Sequence, residues 1–316
     1  MNASVPRLTV FADGITAVDT EYVRPQMDAS HVVLAGARAA IVDTGPNTAV
    51  PLILAALEHL GIAPDAVDYL FLTHVHLDHA GGAGALMRAL PRARCLVHPR
   101  GAPHIIDPSK LIEGTRAVYG AERYAELYGE ILPVPPDRVE PVADDACFEL
   151  AGRVLECVHT PGHALHHMAI IDHGSNGIFT GDTFGISYRE FDTARGPWIM
   201  PTTTPTQFDP GQLKASIIRL MQFKPRHVYL THYSRVGECA RLAGDMVDSI
   251  DEYARIARTF GPDVGRMRFE LRRLAHESLR EHGCVMGESA IDAILGKDFE
   301  LNAAGLAAWL AREART

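Results

Sequence analysis

Three imidazoles and one carboxylate fall within seven positions in Thr73-His74-Val75-His76-Leu77-Asp78-His79, directly after the apolar, strand-like run Val67–Leu72. Neutral imidazole and carboxylate are the ligand types of Zn²⁺, Fe²⁺ and Mn²⁺, and a short turn leaving a strand points alternate side chains in different directions. The spacing therefore points to two adjacent metal ions. Later segments repeat the device: Thr160-Pro161-Gly162-His163 follows the apolar residues 154–158, Thr180-Gly181-Asp182 follows Gly177–Phe179, and Thr231-His232 follows His227–Leu230. Strand ends of a rigid sheet present side chains to a shared cleft, so four apolar runs ending in His or Asp imply one convergent site. The ligand candidates are His74, His76, Asp78, His79, His163, Asp182 and His232.

These motifs, T-H-x-H-x-D-H, P-G-H, T-G-D and a last His, resemble the metallo-β-lactamase-fold hydrolase superfamily over residues 5–240. Asp43-Thr44-Gly45, ending the apolar residues 39–42, is similar to the family's first motif, whose Asp supports the site from behind the ligands. Asp182 and His79 look like glyoxalase II and acyl-homoserine lactonases rather than true β-lactamases, which often carry Cys at the bridging position. The resemblance implies an α/β sandwich of two mixed β-sheets flanked by helices. It implies His74, His76 and His163 on a first metal, Asp78, His79 and His232 on a second, and Asp182 bridging both. Two divalent transition-metal ions follow from it, zinc foremost, with iron and manganese accepting the same ligands. A hydroxide bridging two such ions would be the nucleophile, so no Ser or Cys nucleophile is required.

The activity so implied is hydrolysis of a small ester, thioester or lactone, with Asp78, Asp182 and Tyr188 as catalytic candidates. Two alternatives stay open: a mononuclear iron enzyme like the persulfide dioxygenases, using His74, His163 and Asp182, and a metal-binding sensor or regulatory protein with little turnover. His167 and Asp43 read as supports around the ligands, and His159 and His166 are not needed as ligands. The remaining histidines, among them His31 and His98, read as ordinary hydrogen-bonded residues.

Composition bounds the partners. A formal charge of −9 without clustered Lys or Arg argues against a nucleic-acid backbone and for a small-molecule substrate. Five scattered cysteines without C-x-x-C spacing favour reduced thiols, and no basic patch followed by an apolar stretch opens the chain. A cytoplasmic enzyme, free of membrane contact, is the expectation.

The elements that must hold these ligands are also legible. Residues 8–11, 31–34 and 39–42 read as a β meander, residues 49–60 as an amphipathic helix closed by Gly61, and residues 82–90 as a helix starting over the metal loop. A further helix is expected over 210–223. Residues 100–135 form a helical insertion with Tyr119, Tyr124 and Tyr128 at helical spacing, which more often marks packing than ligand recognition. Residues 184–209, with Tyr188, Arg189, Trp198 and the run Met200-Pro201-Thr202-Thr203-Thr204-Pro205-Thr206, connect two ligand motifs, and Tyr188 there is a candidate oxyanion donor. The organisation expected is a catalytic domain over 1–240 and a helical region over 241–316, broken at Gly261-Pro262 and serving packing or homodimer formation.

Overall fold

The computed structural model describes residues 5–203 and 207–315, so Thr204, Pro205 and Thr206 lie outside the described residues. Short apolar runs between turns form two mixed sheets. The first orders its strands as they occur in the chain: β1 (Leu8–Val10), β2 (Ile15–Asp19), β3 (Ala29–Ala35), β4 (Arg38–Val42), β5 (Val67–Leu72), β6 (Arg94–Val97) and β7 (Val139–Pro141). Pairing is antiparallel from β1 to β4 and parallel from β4 to β7. The second contains β8 (Ala146–Leu150), β9 (Arg153–His159), β10 (Met168–Asp172), β11 (Gly177–Phe179), β12 (His227–Leu230) and β13 (Ser234–Val236), running back in the order β13 to β8. Here β11 and β12 pair in parallel.

One core cluster joins the two sheets: Val33, Val42, Phe71 and Leu96 of the first lie with Leu155, Cys157, Ile170, Phe179 and Tyr229 of the second. Each such side chain stabilises the fold by roughly 1.5–3 kcal/mol when fully buried. The other face of the first sheet, with Val32, Ile41, Leu70 and Leu72, is covered by Ile53, Ala56 and Leu57 of α1 (Val50–His59). That spacing puts one apolar stripe on α1, which is why the segment is a helix and why it faces the sheet.

Helix α2 (Leu77–Ala80) is a single turn inside the metal motif, and α3 (Ala83–Ala89) follows it. The Arg138 guanidinium donates to the carbonyls of Met87, Leu90 and Ala93, satisfying acceptors that the end of α3 exposes. The insertion is helical as expected, with α4 (Ala102–Ile106), α5 (Ser109–Tyr119) and α6 (Ala121–Tyr128). Its tyrosines pack: Tyr124 and Tyr128 are buried with Tyr22 and Leu77, and the hydroxyls of Tyr22 and Tyr128 lie 2.7 Å apart.

Chain contacts divide the molecule into two compact units, residues 1–159, 166–181 and 226–235 in the first, and residues 160–165, 182–225 and 236–316 in the second. Both sheets belong to the first, except that β13 ends at Val236. The second is helical, with α7 (Pro210–Met221), α8 (Cys239–Phe260), α9 (Val264–Glu281) and α10 (Glu288–Glu313). Asp209 caps α7 through Gln212 N–H, and Asp263 caps α9 through Arg266 N–H. Among the described residues no helix is long and apolar enough to cross a membrane.

A buried histidine gives the first sheet a pH dependence. His31 on β3 lies against the rings of Phe179 and Tyr229, and burial pushes its pKa down to about 4, with the Asp43 charge acting the other way. The unfolded chain takes up a proton near pH 6.5 while the folded chain stays neutral to about pH 4, so stability is present above pH 6.5 and is lost as pH falls through that window. In chelator-treated protein this residue is expected to contribute about 2 kcal/mol of the stability lost between pH 7 and pH 5. Urea melts of wild type and His31→Phe at both pH values check it. Equal pH slopes in the two proteins would contradict it.

Candidate metal centre

Asp43 organises the site from the end of β4. Its backbone turns into the left-handed region, φ +57°, which Asp tolerates better than most residues. The turn aims its buried carboxylate at the start of the metal motif. Oδ1 accepts from Thr73 N–H at 2.8 Å, and Oδ2 accepts from the hydroxyls of Thr73 and Thr231 at 2.8 and 3.0 Å and from His79 Nδ1 at 2.9 Å. The Thr73 hydroxyl in turn lies 3.2 Å from His74 Nδ1 and accepts from it. One carboxylate therefore fixes two imidazoles by their Nδ1 atoms, directly for His79 and through Thr73 for His74. Their Nε2 atoms are the nitrogens turned outward.

The same logic holds just beyond the end of β12, where His232 Nδ1 donates to the Met27 carbonyl at 3.0 Å. His232 Nε2 and His79 Nε2 lie 3.6 and 3.8 Å from Asp78 Oδ2, and one ligand atom from each of these residues falls within 4.8 Å of the others. His74 Nε2 and His76 Nδ1 lie 2.7 Å apart. His74, His79 and His232 are buried, whereas Asp78 and His76 are part-exposed, so the open side of the cluster is theirs.

In the second unit, His163 and Asp182 come together, His163 Nε2 lying 3.4 Å from Asp182 Oδ2. The Thr160-Pro161-Gly162-His163 turn is held from α7: the Ser216 hydroxyl donates to the Pro161 carbonyl at 2.6 Å, and Asp209 N–H to the Gly162 carbonyl at 2.7 Å. Gly162 sits at φ +133°, and a Cβ there would lie 2.2 Å from the Leu213 nitrogen, so the turn can meet the helix only through glycine. His163 Nδ1 donates to the Thr202 carbonyl at 3.3 Å, which again turns Nε2 toward the carboxylate.

The donor set is nitrogen and oxygen throughout, and four of its five imidazoles, those of His74, His79, His163 and His232, are anchored through Nδ1 in the way that metal-bound histidines require. These groups could hold metal ions. Among the described residues no cysteine belongs to these donor groups, and burial pushes the Cys95 thiol up to about 12 and raises that of Cys157 as well. His167 is fully buried and stacks on His74 with ring centroids 4.8 Å apart, and His166 lies edge-on to His76 at 5.5 Å. His159 points elsewhere, bonding the Val142 carbonyl and resting on His98. Tyr188 is buried in the second unit, ahead of a single 3₁₀ turn. Thr73 and Thr231, partners of Asp43, were not singled out from the sequence, although each precedes a candidate ligand histidine in a Thr-His pair. The carbonyls of Met27 and Thr202 carry no side-chain signal at all.

Comparison with known proteins identifies the family and the fold. The model of the metallo-beta-lactamase superfamily matches residues 24–233, and the chain belongs to that superfamily. A metallo-beta-lactamase fold-containing protein of Sulfurisphaera tokodaii is 30% identical over 172 residues, covering 53% of this chain and 61% of the relative. An atrochrysone carboxyl ACP thioesterase of Emericella nidulans is 26% identical over 156 residues, 48% of this chain and 39% of the relative. The chain thus spans less than two thirds of these relatives' lengths. Among solved structures, an archaeal metallo-beta-lactamase superfamily protein from Sulfolobus tokodaii superposes with a TM-score of 0.66 at 23% identity, covering 94% of this chain and 99% of that one. The fold is therefore the metallo-β-lactamase sandwich of two mixed sheets flanked by helices, followed here by C-terminal helices.

Proposed function

We propose that this chain is a metal-dependent hydrolase that holds two divalent transition-metal ions, zinc foremost, and cleaves a small ester, thioester or lactone. The observation that carries the reading is the convergence of Asp78, His79 and His232 as one donor group beside the separate pair His74 and His76. In this proposal His74, His76 and His163 would hold one ion, Asp78, His79 and His232 the other, and Asp182 would serve both. Bound in such a pair, divalent ions make water ionisable near neutral pH and polarise an acyl carbonyl.

The chain's own contribution is orientation. Asp43, the Met27 carbonyl and the Thr202 carbonyl hold the Nδ1 sides of His74, His79, His232 and His163, so the Nε2 of each of these four is presented without a choice of tautomer, while His76 turns its Nδ1 toward His74. Relatives named as acyl-carrier-protein thioesterases support an acyl substrate, with a thioester as the first class to try. The net charge of −9 fits a small molecule better than a nucleic acid. Five cysteines outside any disulfide are in keeping with a cytoplasmic enzyme.

A one-iron dioxygenase would need only His74, His163 and Asp182 and would leave the Asp78, His79 and His232 group without a task. Metal-reconstituted protein offered acyl thioesters, lactones, simple esters and a persulfide separates the readings. Turnover of the persulfide with oxygen uptake, and of none of the acyl compounds, would contradict the hydrolase.

Tyr188, on the segment that follows Asp182, is proposed to donate its hydroxyl to the oxyanion that develops during acyl transfer. Tyr188→Phe is then expected to lower kcat by roughly 10²-fold with metal content unchanged, because only a transition-state contact is lost. Equal kcat in the two proteins would make Tyr188 a packing residue.

A further inference from the structure

Helix α10 buries an apolar seam that includes Leu295, Phe299, Leu306 and Trp309, and one polar side chain stands within it: Asn302, 1% exposed. A buried amide costs stability unless its hydrogen bonds are made, so its partners say why it is there. Asn302 Oδ1 accepts from Thr203 N–H at 2.7 Å, and its Nδ2 donates to the Pro201 carbonyl at 3.2 Å. The Thr203 hydroxyl donates back to the Asn302 carbonyl at 2.9 Å. These bonds clamp the chain on both sides of Thr202. Thr202 is the residue whose carbonyl accepts from His163 Nδ1.

Gly305, one turn further along α10, makes the clamp sterically feasible. A Cβ there would lie 2.6 Å from the Thr203 hydroxyl oxygen and 2.7 Å from its carbonyl oxygen, so a side chain at 305 would push the segment away from the helix. The other side of the His163 turn is already fixed by Ser216 and Leu213 of α7. The ring of His163 is thus held by a carbonyl whose place is set from a helix about 140 residues later in the chain.

Outer partners of a metal-bound imidazole fix its ring orientation and tautomer, and their loss typically costs 10–100-fold in metal affinity. We infer that Asn302 is a positioning residue of the metal centre, acting through Thr203 and the Thr202 carbonyl on His163. The C-terminal helix is thereby part of what builds the site. This rests on the reading of His163 as a metal ligand.

The test compares full-length wild type, Asn302→Ala, Gly305→Ala, Leu295→Ala and His163→Ala. Each is loaded with zinc and dialysed against graded chelator, with bound zinc and the folded fraction by circular dichroism read on the same samples. Folded Asn302→Ala and Gly305→Ala are expected to give up one zinc at chelator concentrations about 10–100-fold lower than wild type. Leu295→Ala, which opens a cavity two turns earlier on the same helix, is expected to melt earlier yet hold zinc as wild type does. If the folded Asn302 and Gly305 variants retain zinc like wild type while His163→Ala does not, the positioning role is overturned. Loss in Leu295→Ala equal to that in Asn302→Ala would overturn it too, since zinc retention would then only track stability. Wild-type retention in His163→Ala would instead remove the ligand reading beneath it.

Discussion

Asp182→Ala is expected to lose bound metal and hydrolysis together, with kcat/KM down on the order of 10³-fold or more. The carboxylate is 4% exposed and lies against His163 Nε2, and in the proposed site it would serve both ions, so its removal would take a ligand from each. A carboxylate elsewhere in the same unit behaves differently. Asp209 caps α7 through Gln212 N–H, and Asp209→Ala should cost about 1 kcal/mol of stability with metal content intact. Metal analysis and steady-state rates on both variants decide the matter: full activity at full occupancy in Asp182→Ala would end the bridging assignment.

Asp43→Ala carries the second large effect, felt even by the metal-free protein. Four donors converge on that carboxylate, two from Thr73, one from Thr231 and one from His79, and all of them are buried. Alanine leaves them facing an apolar methyl, and each unsatisfied buried group costs about 1–3 kcal/mol. Alanine also holds φ +57° less readily than Asp. Relaxation recovers part of this, and a loss of about 3–5 kcal/mol is expected in urea melts of chelator-treated protein. Zinc retention should weaken as well, because His79 loses the bond that fixes its tautomer. A loss under about 1 kcal/mol would mean that the carboxylate does not organise the site.

The candidate ligands could be singled out because their signal is local: Asp and His at the ends of apolar runs survive reading in one dimension. The sandwich was legible for the same reason, yet five strands escaped, two of which, β7 (Val139–Pro141) and β13 (Ser234–Val236), are only three residues long. β2, Ile15–Asp19, and β10, Met168–Asp172, are buried at every position and so lack the alternation that marks a strand with one wet face. β8, Ala146–Leu150, does alternate, but with Cys147 and Glu149 outward it is too short and mixed to stand out. The insertion's tyrosines were read as packing, and the bond between Tyr22 and Tyr128 shows why spacing along α6 could not identify the partner: it lies 106 positions away. Asn302 was invisible in the same sense. One Asn in a helix rich in Ala and Leu carries meaning only once Thr203, 99 residues earlier, is seen to bond it. Backbone acceptors such as the Met27 and Thr202 carbonyls have no side chain to read, and only the folded chain discloses them.

The number of ions per chain bears most directly on the two-metal reading. Elemental analysis of protein saturated with zinc or iron and then freed of excess metal by gel filtration should return two ions per chain, and close to one for His232→Ala, whose loss weakens the Asp78 and His79 group. A reproducible stoichiometry of one in wild type, unchanged in His232→Ala, would contradict the two-metal site and return the chain to the mononuclear alternative.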